Sequence, residues 1–74
     1  MTAVADLPLD AIHVPARRLR DFDEARAEGF AVDMAERGLL EAILVRARPR
    51  GGWWLVGGLH RLAAAKRLGW PRIA

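Results

Sequence analysis

The hydrophobic pattern changes period across two glycines, and no other feature of the sequence restricts the fold as much. Trp53-Trp54-Leu55-Val56 is a β-forming run, Gly57-Gly58 follow at once, and Leu59 to Leu68 has helical spacing with Gly69 as its stop. The helix therefore begins with no capping side chain, because neither glycine can satisfy the orphan N–H groups of a first turn. Directly after Leu59 come His60 and Arg61. Cations belong at the other end of a helix, since the aligned peptide dipoles make the first turn positive. Either both are ordinary surface residues, at a small cost, or they answer a negative charge that arrives from outside.

Upstream, Leu7 to Val14 alternates loosely and ends at Pro15, which reads as a first strand, and residues 15–23 read as a polar, turn-rich loop. Asp21 with Glu24 has the spacing of a capping box, and Asp23 is an equally good N-cap. Ala27, Phe30, Ala31 and Met34 recur at i, i+3, i+4 and i+7, one face of an amphipathic helix that Gly38 ends. Gly29 within it costs about 1 kcal/mol relative to alanine, so this helix leans on its packing. Ala42 to Arg48 and the run from Trp53, joined by Pro49-Arg50-Gly51-Gly52, read as a hairpin or tight strand pair. Trp70 to Ala74 starts a further strand. The order β–α–β–β–α–(β) predicts an α+β domain, a small mixed sheet with two helices whose last strand is truncated at the C-terminus. A single domain over 1–74 is expected, with residues 1–6 as a flexible tail.

Seventy-four residues bury a modest share of their surface, so the stability margin is thin. The absence of cysteine excludes disulfides, thiol catalysis and Cys-based zinc sites, and two histidines leave little for any other metal centre. The N-terminus has no basic region followed by an apolar core, and the uncharged stretch Gly51–Leu59 is far too short to span a bilayer. A cytoplasmic protein without membrane contact is the expectation. Charge is segregated. All nine acids lie in residues 1–45 with five arginines, a net −4, while residues 46–74 hold seven bases and no acid, a net +7. A bias toward arginine does not separate acids from bases, so the second half suits an anionic partner.

At about 100° per residue, Leu62, Ala65, Leu68 and Gly69 share the face of the second helix that must be buried, with His60 and Arg67 nearly opposite, in solvent. Arg61 shares its face with Leu68, so it must snorkel past the helix start or pair with something negative. Free N–H groups, two glycines that admit a ligand to the backbone and two adjacent donors make a phosphate-sized anion site. Arg61 would hold an oxygen pair by its planar fork, and His60 would donate one hydrogen bond. A plain strand-to-helix turn with exposed His and Arg accounts for the same residues, and both readings stand at this point.

Three blocks, "PLDAIHVPARRLR", "MAERGLLEAILVR" and "WWLVGGLHRLAAAKRLGW", occur in that order and over nearly the whole chain, Leu7 to Ile73. Together they resemble the N-terminal domain of the ParB partition proteins, in the ParB/sulfiredoxin superfamily. In that family the glycine–helix junction binds nucleotide phosphates: it reads G-E-R-R in CTP-dependent ParB clamps, G-C-H-R in ATP-driven sulfiredoxins, and H-H-R in a free-serine kinase. The matching residues here are Gly58, Leu59, His60 and Arg61. The resemblance implies that these and Gly57 contact phosphates, with Arg20 near them, and that Gly38 to Val45 line the base or ribose side. CTP or ATP with Mg2+ is the implied cofactor. Leu59 stands for the sulfiredoxin cysteine, which excludes sulfinic-acid reduction. It also stands for the glutamate of G-E-R-R, as His60 does for an arginine, so CTP specificity and hydrolysis do not follow from the likeness. Glu41-Ala42 replaces a usual Gln-Pro pair. The helix-turn-helix and dimerisation domains of a full partition protein are absent from these 74 residues.

Other residues admit two readings. Glu41 is a solvated loop acid or a general base or magnesium ligand. Trp53 and Trp54 are base-stacking platforms or packing residues, and in a strand they point to opposite faces. Lys66, Arg67 and Arg72 form a solvated basic face or contact a DNA backbone. Three functions follow. The first is a nucleotide- or phosphate-binding regulatory domain of plasmid, phage or chromosome partition, with weak NTP hydrolysis compatible with it. The second is a small phosphotransferase or nuclease using Glu41, Asp21 or Asp23. The third is a DNA- or protein-binding module whose phosphate site is idle. An unfinished last strand would leave an apolar edge for a second copy or a partner to cover, so a homodimer is an expectation of the same kind.

Overall fold

Strand β4, Trp53–Gly57, is the centre of a three-stranded sheet in the computed structural model, which describes residues 6–39 and 41–74. The expected tail over 1–6 lies outside the described residues except for Asp6, whose carboxylate and carbonyl both accept from Arg72. On one side β4 pairs parallel with β2, Ile12–His13, matching Ile12 to Trp53 and His13 to Trp54. On the other it pairs antiparallel with β3, Leu44–Ala47, with Arg46 opposite Trp54 and an irregularity between Leu44 and Val45. The hairpin expected across Pro49–Gly52 is thus present.

The stretch Leu7–Val14 is not one strand. Leu7–Pro8 forms β1, Leu9–Ala11 a 3₁₀ turn, and only Ile12–His13 joins the main sheet. Pro8 has no N–H to continue a ladder, and the turn after it carries the chain from one sheet to the other. Residues Ala16–Asp21, expected as loop, wind into a second 3₁₀ segment.

Helix α1, Glu24–Arg37, starts at Asp23, not at the Asp21 capping box: the Asp23 carboxylate accepts from the N–H groups of Ala25 (2.9 Å) and Arg26 (3.3 Å). Gly38 stops it with φ +74°, its N–H bonded to the Met34 carbonyl at 2.9 Å. The expected stripe is real: Ala27, Ala31 and Met34 are buried and Phe30 is half-buried. Helix α2, Leu59–Arg67, packs on α1, and the core gathers Leu9, Ile12, Leu55, Leu59 and Leu62 beneath both.

The C-terminal strand β5, Arg72–Ile73, pairs antiparallel with β1 as a separate two-stranded sheet, Leu7 opposite Ile73. Ile73 is only 1% exposed, and the Ala74 carbonyl accepts from Ile43 N–H at 3.1 Å. The apolar edge expected of an unfinished strand is therefore absent at this residue; the two-residue strand is already covered.

Candidate functional site

The chain leaves β4 through Gly58, whose φ of +95° lies in the left-handed region, and turns at once into α2. A Cβ on Gly58 would stand 2.7 Å from Cγ2 of Ile43, so both dihedral and space demand glycine. The first intrahelical bond runs from Leu62 N–H to the Gly58 carbonyl, 2.9 Å. The N–H groups of Leu59, His60 and Arg61 have no acceptor within the helix, and no side chain caps them. Gly57 lies apart from this opening, under Leu44, whose Cδ1 is 3.5 Å from where a Cβ would stand. The Leu59 side chain belongs to the core, leaving its backbone to face outward.

In front of the junction is a cleft of about 260 Å³ walled by Gly58–Arg61 on one side and by Arg18, Asp21, Arg26 and Phe30 on the other. Phe30 and Arg61 also wall an adjoining hollow of about 240 Å³ that reaches Gly38, Leu39 and Glu41. Asp21 is the single carboxylate lining this cleft, and among the described residues no group of three or more His, Asp or Glu side chains could hold a metal ion.

His60 is not in solvent. It is 9% exposed, stacks on Phe22 with ring centroids 5.7 Å apart, and its Nε2 accepts the backbone N–H of Asp23 at 3.0 Å. A backbone N–H only donates, so Nε2 carries the lone pair and Nδ1 the proton. Asp23 caps α1 with its side chain and reaches α2 with its backbone, so one residue ties both helix starts to the same cleft. Replacing His60 with Phe keeps the ring and orphans that N–H. The expected loss is about 1–2 kcal/mol, read from urea unfolding, where a surface histidine would give no loss.

Arg61 finds its negative partner within the chain. Nη2 donates to Glu41 Oε2 at 2.6 Å, and the guanidinium lies over the Phe30 ring, 4.9 Å from its centroid. Glu41 is therefore held by Arg61 at the far end of the groove, which weakens its candidacy as a free base. Arg18, which the sequence did not single out, donates Nη1 to the Val56 carbonyl at 2.9 Å. Its Nε is buried with no hydrogen bond, Asp21 standing off at 3.6 Å. The cleft is lined by Arg18 and Arg26, while Arg20, which the resemblance implies near the phosphates, is exposed on the same 3₁₀ segment. Arg18, Arg26 and Phe30 carry no local motif, and the segregation of charge, which places the basic excess in residues 46–74, points away from them.

Lys66, Arg67 and Arg72 are all exposed, and acids pair with two of the three. Arg67 lies between α2 and α1, bonded to Glu24 and to Glu28 (3.1 Å), and the Glu24 hydrogen bond above all raises its pKa. Arg72 is held by Asp6, which leaves Lys66 as the member of the trio with no ion-pair partner among the described residues.

The profile of the ParB N-terminal domain matches residues 1–74. A nucleoid occlusion protein of Bacillus thuringiensis (strain Al Hakam) is 35% identical over 52 residues, which are 70% of this chain and 18% of that protein. This chain thus spans about a fifth of the curated relatives it matches. The C-terminally truncated chromosome-partitioning protein ParB of Caulobacter crescentus, complexed with CTP-γ-S, superposes with a TM-score of 0.82 and 29% identity, over 93% of this chain and 40% of that one. Sulfiredoxin from Arabidopsis thaliana gives a TM-score of 0.78 and 30% identity, over 93% and 76% of the two chains. No helix among the described residues is long and apolar enough to cross a membrane.

Proposed function

Because this chain belongs to the ParB N-terminal domain family, we propose that it is the nucleotide-binding module of a partition-type or nucleoid-occlusion protein, with CTP as its ligand. The observation that carries the reading is the uncapped start of α2, turned into a cleft whose other wall holds Arg18 and Arg26. Three backbone N–H groups and the dipole favour an anion there, and the guanidinium groups supply charge-assisted bonds to it. Phosphates sit against Gly58, Leu59 and Arg61, and the base and ribose lie along Phe30 toward Gly38, Leu39 and Glu41. His60 acts as a positioning residue that holds the two helix starts together.

The Arg61–Glu41 pair is a stand-in that the ligand displaces. Glu41 is 73% exposed, and a pair so open to water contributes about 1 kcal/mol or less. A phosphate offers the same fork two oxygens beside an already positive helix start. Phosphate-bound Mg2+ needs only one or two carboxylates from a protein, and Asp21 is placed to be one. Phosphotransfer or nuclease chemistry would require an acid free at the reacting phosphate. Asp21 faces Arg18 and Glu41 is bonded to Arg61, so this reading has the weaker support.

Calorimetric titration with CTP, ATP and GTP, each with magnesium, tests the proposal. Saturable binding of CTP is expected. Arg61→Ala is expected to weaken it by ten- to a hundredfold, about 1.4–2.7 kcal/mol, and Glu41→Gln to tighten it by freeing the fork. Silence from all three nucleotides with folded protein would overturn the reading.

A further inference from the structure

Arg18, Arg37, Arg61, Arg67 and Arg72 all find acids, whereas Arg46, Arg48 and Arg50 have no ion-pair partner among the described residues. These three alternate along one arm and the tip of the β3–β4 hairpin, in a segment that contains no acid. Their setting is aromatic. Leu55 and Ile12 turn into the core, so the alternation of each strand sends Trp54 and His13 to the opposite, outward face. There His13, Trp54 and Arg46 stand in register across β2, β4 and β3. His13 meets the Trp54 ring edge-on at 6.3 Å, and the Arg48 guanidinium lies over that ring, 4.8 Å from its centroid.

From this we infer that the outward face of the sheet is a second, separate binding surface, and that it takes single-stranded nucleic acid. An indole carrying a stacked guanidinium presents a flat platform on which a base can continue the stack, as unpaired bases do on aromatic and arginine planes. Arg46, in register beside Trp54 on β3, and Arg50, in the turn at the hairpin tip, supply the cations for the phosphates that run past it. A duplex keeps its bases stacked within the helix and leaves this platform unused, so the ring selects the single strand and the arginines select the anion. The surface is independent of the cleft at α2: no residue is shared, and the nucleotide reading can fail without it.

The test is fluorescence anisotropy of a labelled 20-nucleotide oligo-dT with the whole chain, beside a duplex of the same length. Saturable binding of the single strand, with quenching of tryptophan emission, is expected. With two phosphates engaged, the slope of log K against log salt is about −1.4, so a fourfold rise in salt weakens binding about sevenfold. Arg46→Glu with Arg48→Glu abolishes it. Trp54→Leu weakens it on the order of tenfold while Trp54→Phe restores most of it, and Arg61→Ala leaves it unchanged. Circular dichroism confirms that each variant is folded. Duplex bound as tightly as single strand, binding indifferent to the hairpin substitutions, or none at low salt would each overturn the proposal.

Discussion

Gly58→Ala is expected to destabilise the chain by about 2–5 kcal/mol and to remove nucleotide binding with it. Two terms add. A non-glycine residue held at φ +95° costs roughly 1–2 kcal/mol. The new methyl also meets Cγ2 of Ile43 at 2.7 Å and its Cβ at 3.1 Å, which forces a shift of β-strand or helix worth about 1–3 kcal/mol. A 74-residue domain has on the order of 4–11 kcal/mol in all, so the variant keeps a fraction of its stability at room temperature. Urea unfolding measures the first effect. Combining it with Ile43→Ala should give a total smaller than the sum of the two single losses, because the second substitution removes the atom the first collides with. Strict additivity would mean that the packing of Gly58 on Ile43 is not the cause. The functional effect follows from the same geometry: any relief of the clash tilts the first turn of α2, and its three free N–H groups no longer converge on the cleft.

Leu62→Ala should be comparably damaging for an unrelated reason. Leu62 is 1% exposed and lies on α2 among the core residues beneath the two helices, in a core where most partners on the facing helices are alanine or methionine. Small neighbours let the helices approach closely and leave little slack to collapse into a void, so the loss is expected in the range of about 2–5 kcal/mol. Leu62→Met, which conserves volume, should cost less than about 1.5 kcal/mol. Thermal or urea melts of the pair distinguish cavity formation from a general intolerance of substitution: equal losses would sink the cavity account.

What could be read from the sequence was what depends on neighbours along the chain. The α1 stripe, its glycine stop, the hairpin turn and the bare start of α2 each rest on residues within a few positions of one another, and each is present. The errors share the opposite property. The wheel puts His60 in solvent because it compares a helix only with itself; Arg67, placed there too, is exposed, and what the wheel misses is its pairing. Their partners, Asp23 at 37 positions' distance and Glu24 and Glu28 on α1, come from a different helix. For Arg61 the sequence leaves open which negative group it meets, and Glu41, its partner in this structure, lies in a loop whose path no periodicity describes. Arg18 and Arg20 could not be told apart, since a 3₁₀ turn and not a strand or helix decides which of them faces the cleft. The loose alternation of Leu7–Val14 does not show its division between two sheets, which Pro8 and the 3₁₀ turn after it bring about.

The pairing of β1 with β5 also decides how this domain responds to being pulled. Residues 7 and 73 are opposite one another, and 8 faces 72, so tension applied through residues 6 and 74 loads the rungs one after another, as a zip is opened, and never in parallel. The two-stranded sheet would part at low force. The main sheet, whose β2–β4 rungs run parallel and lie deeper along the chain, would be shielded until the outer rungs had gone. Traction from flanking chain would thus open the edge of the fold first and leave the α2 junction, with its glycine and its two tethered helix starts, to yield last.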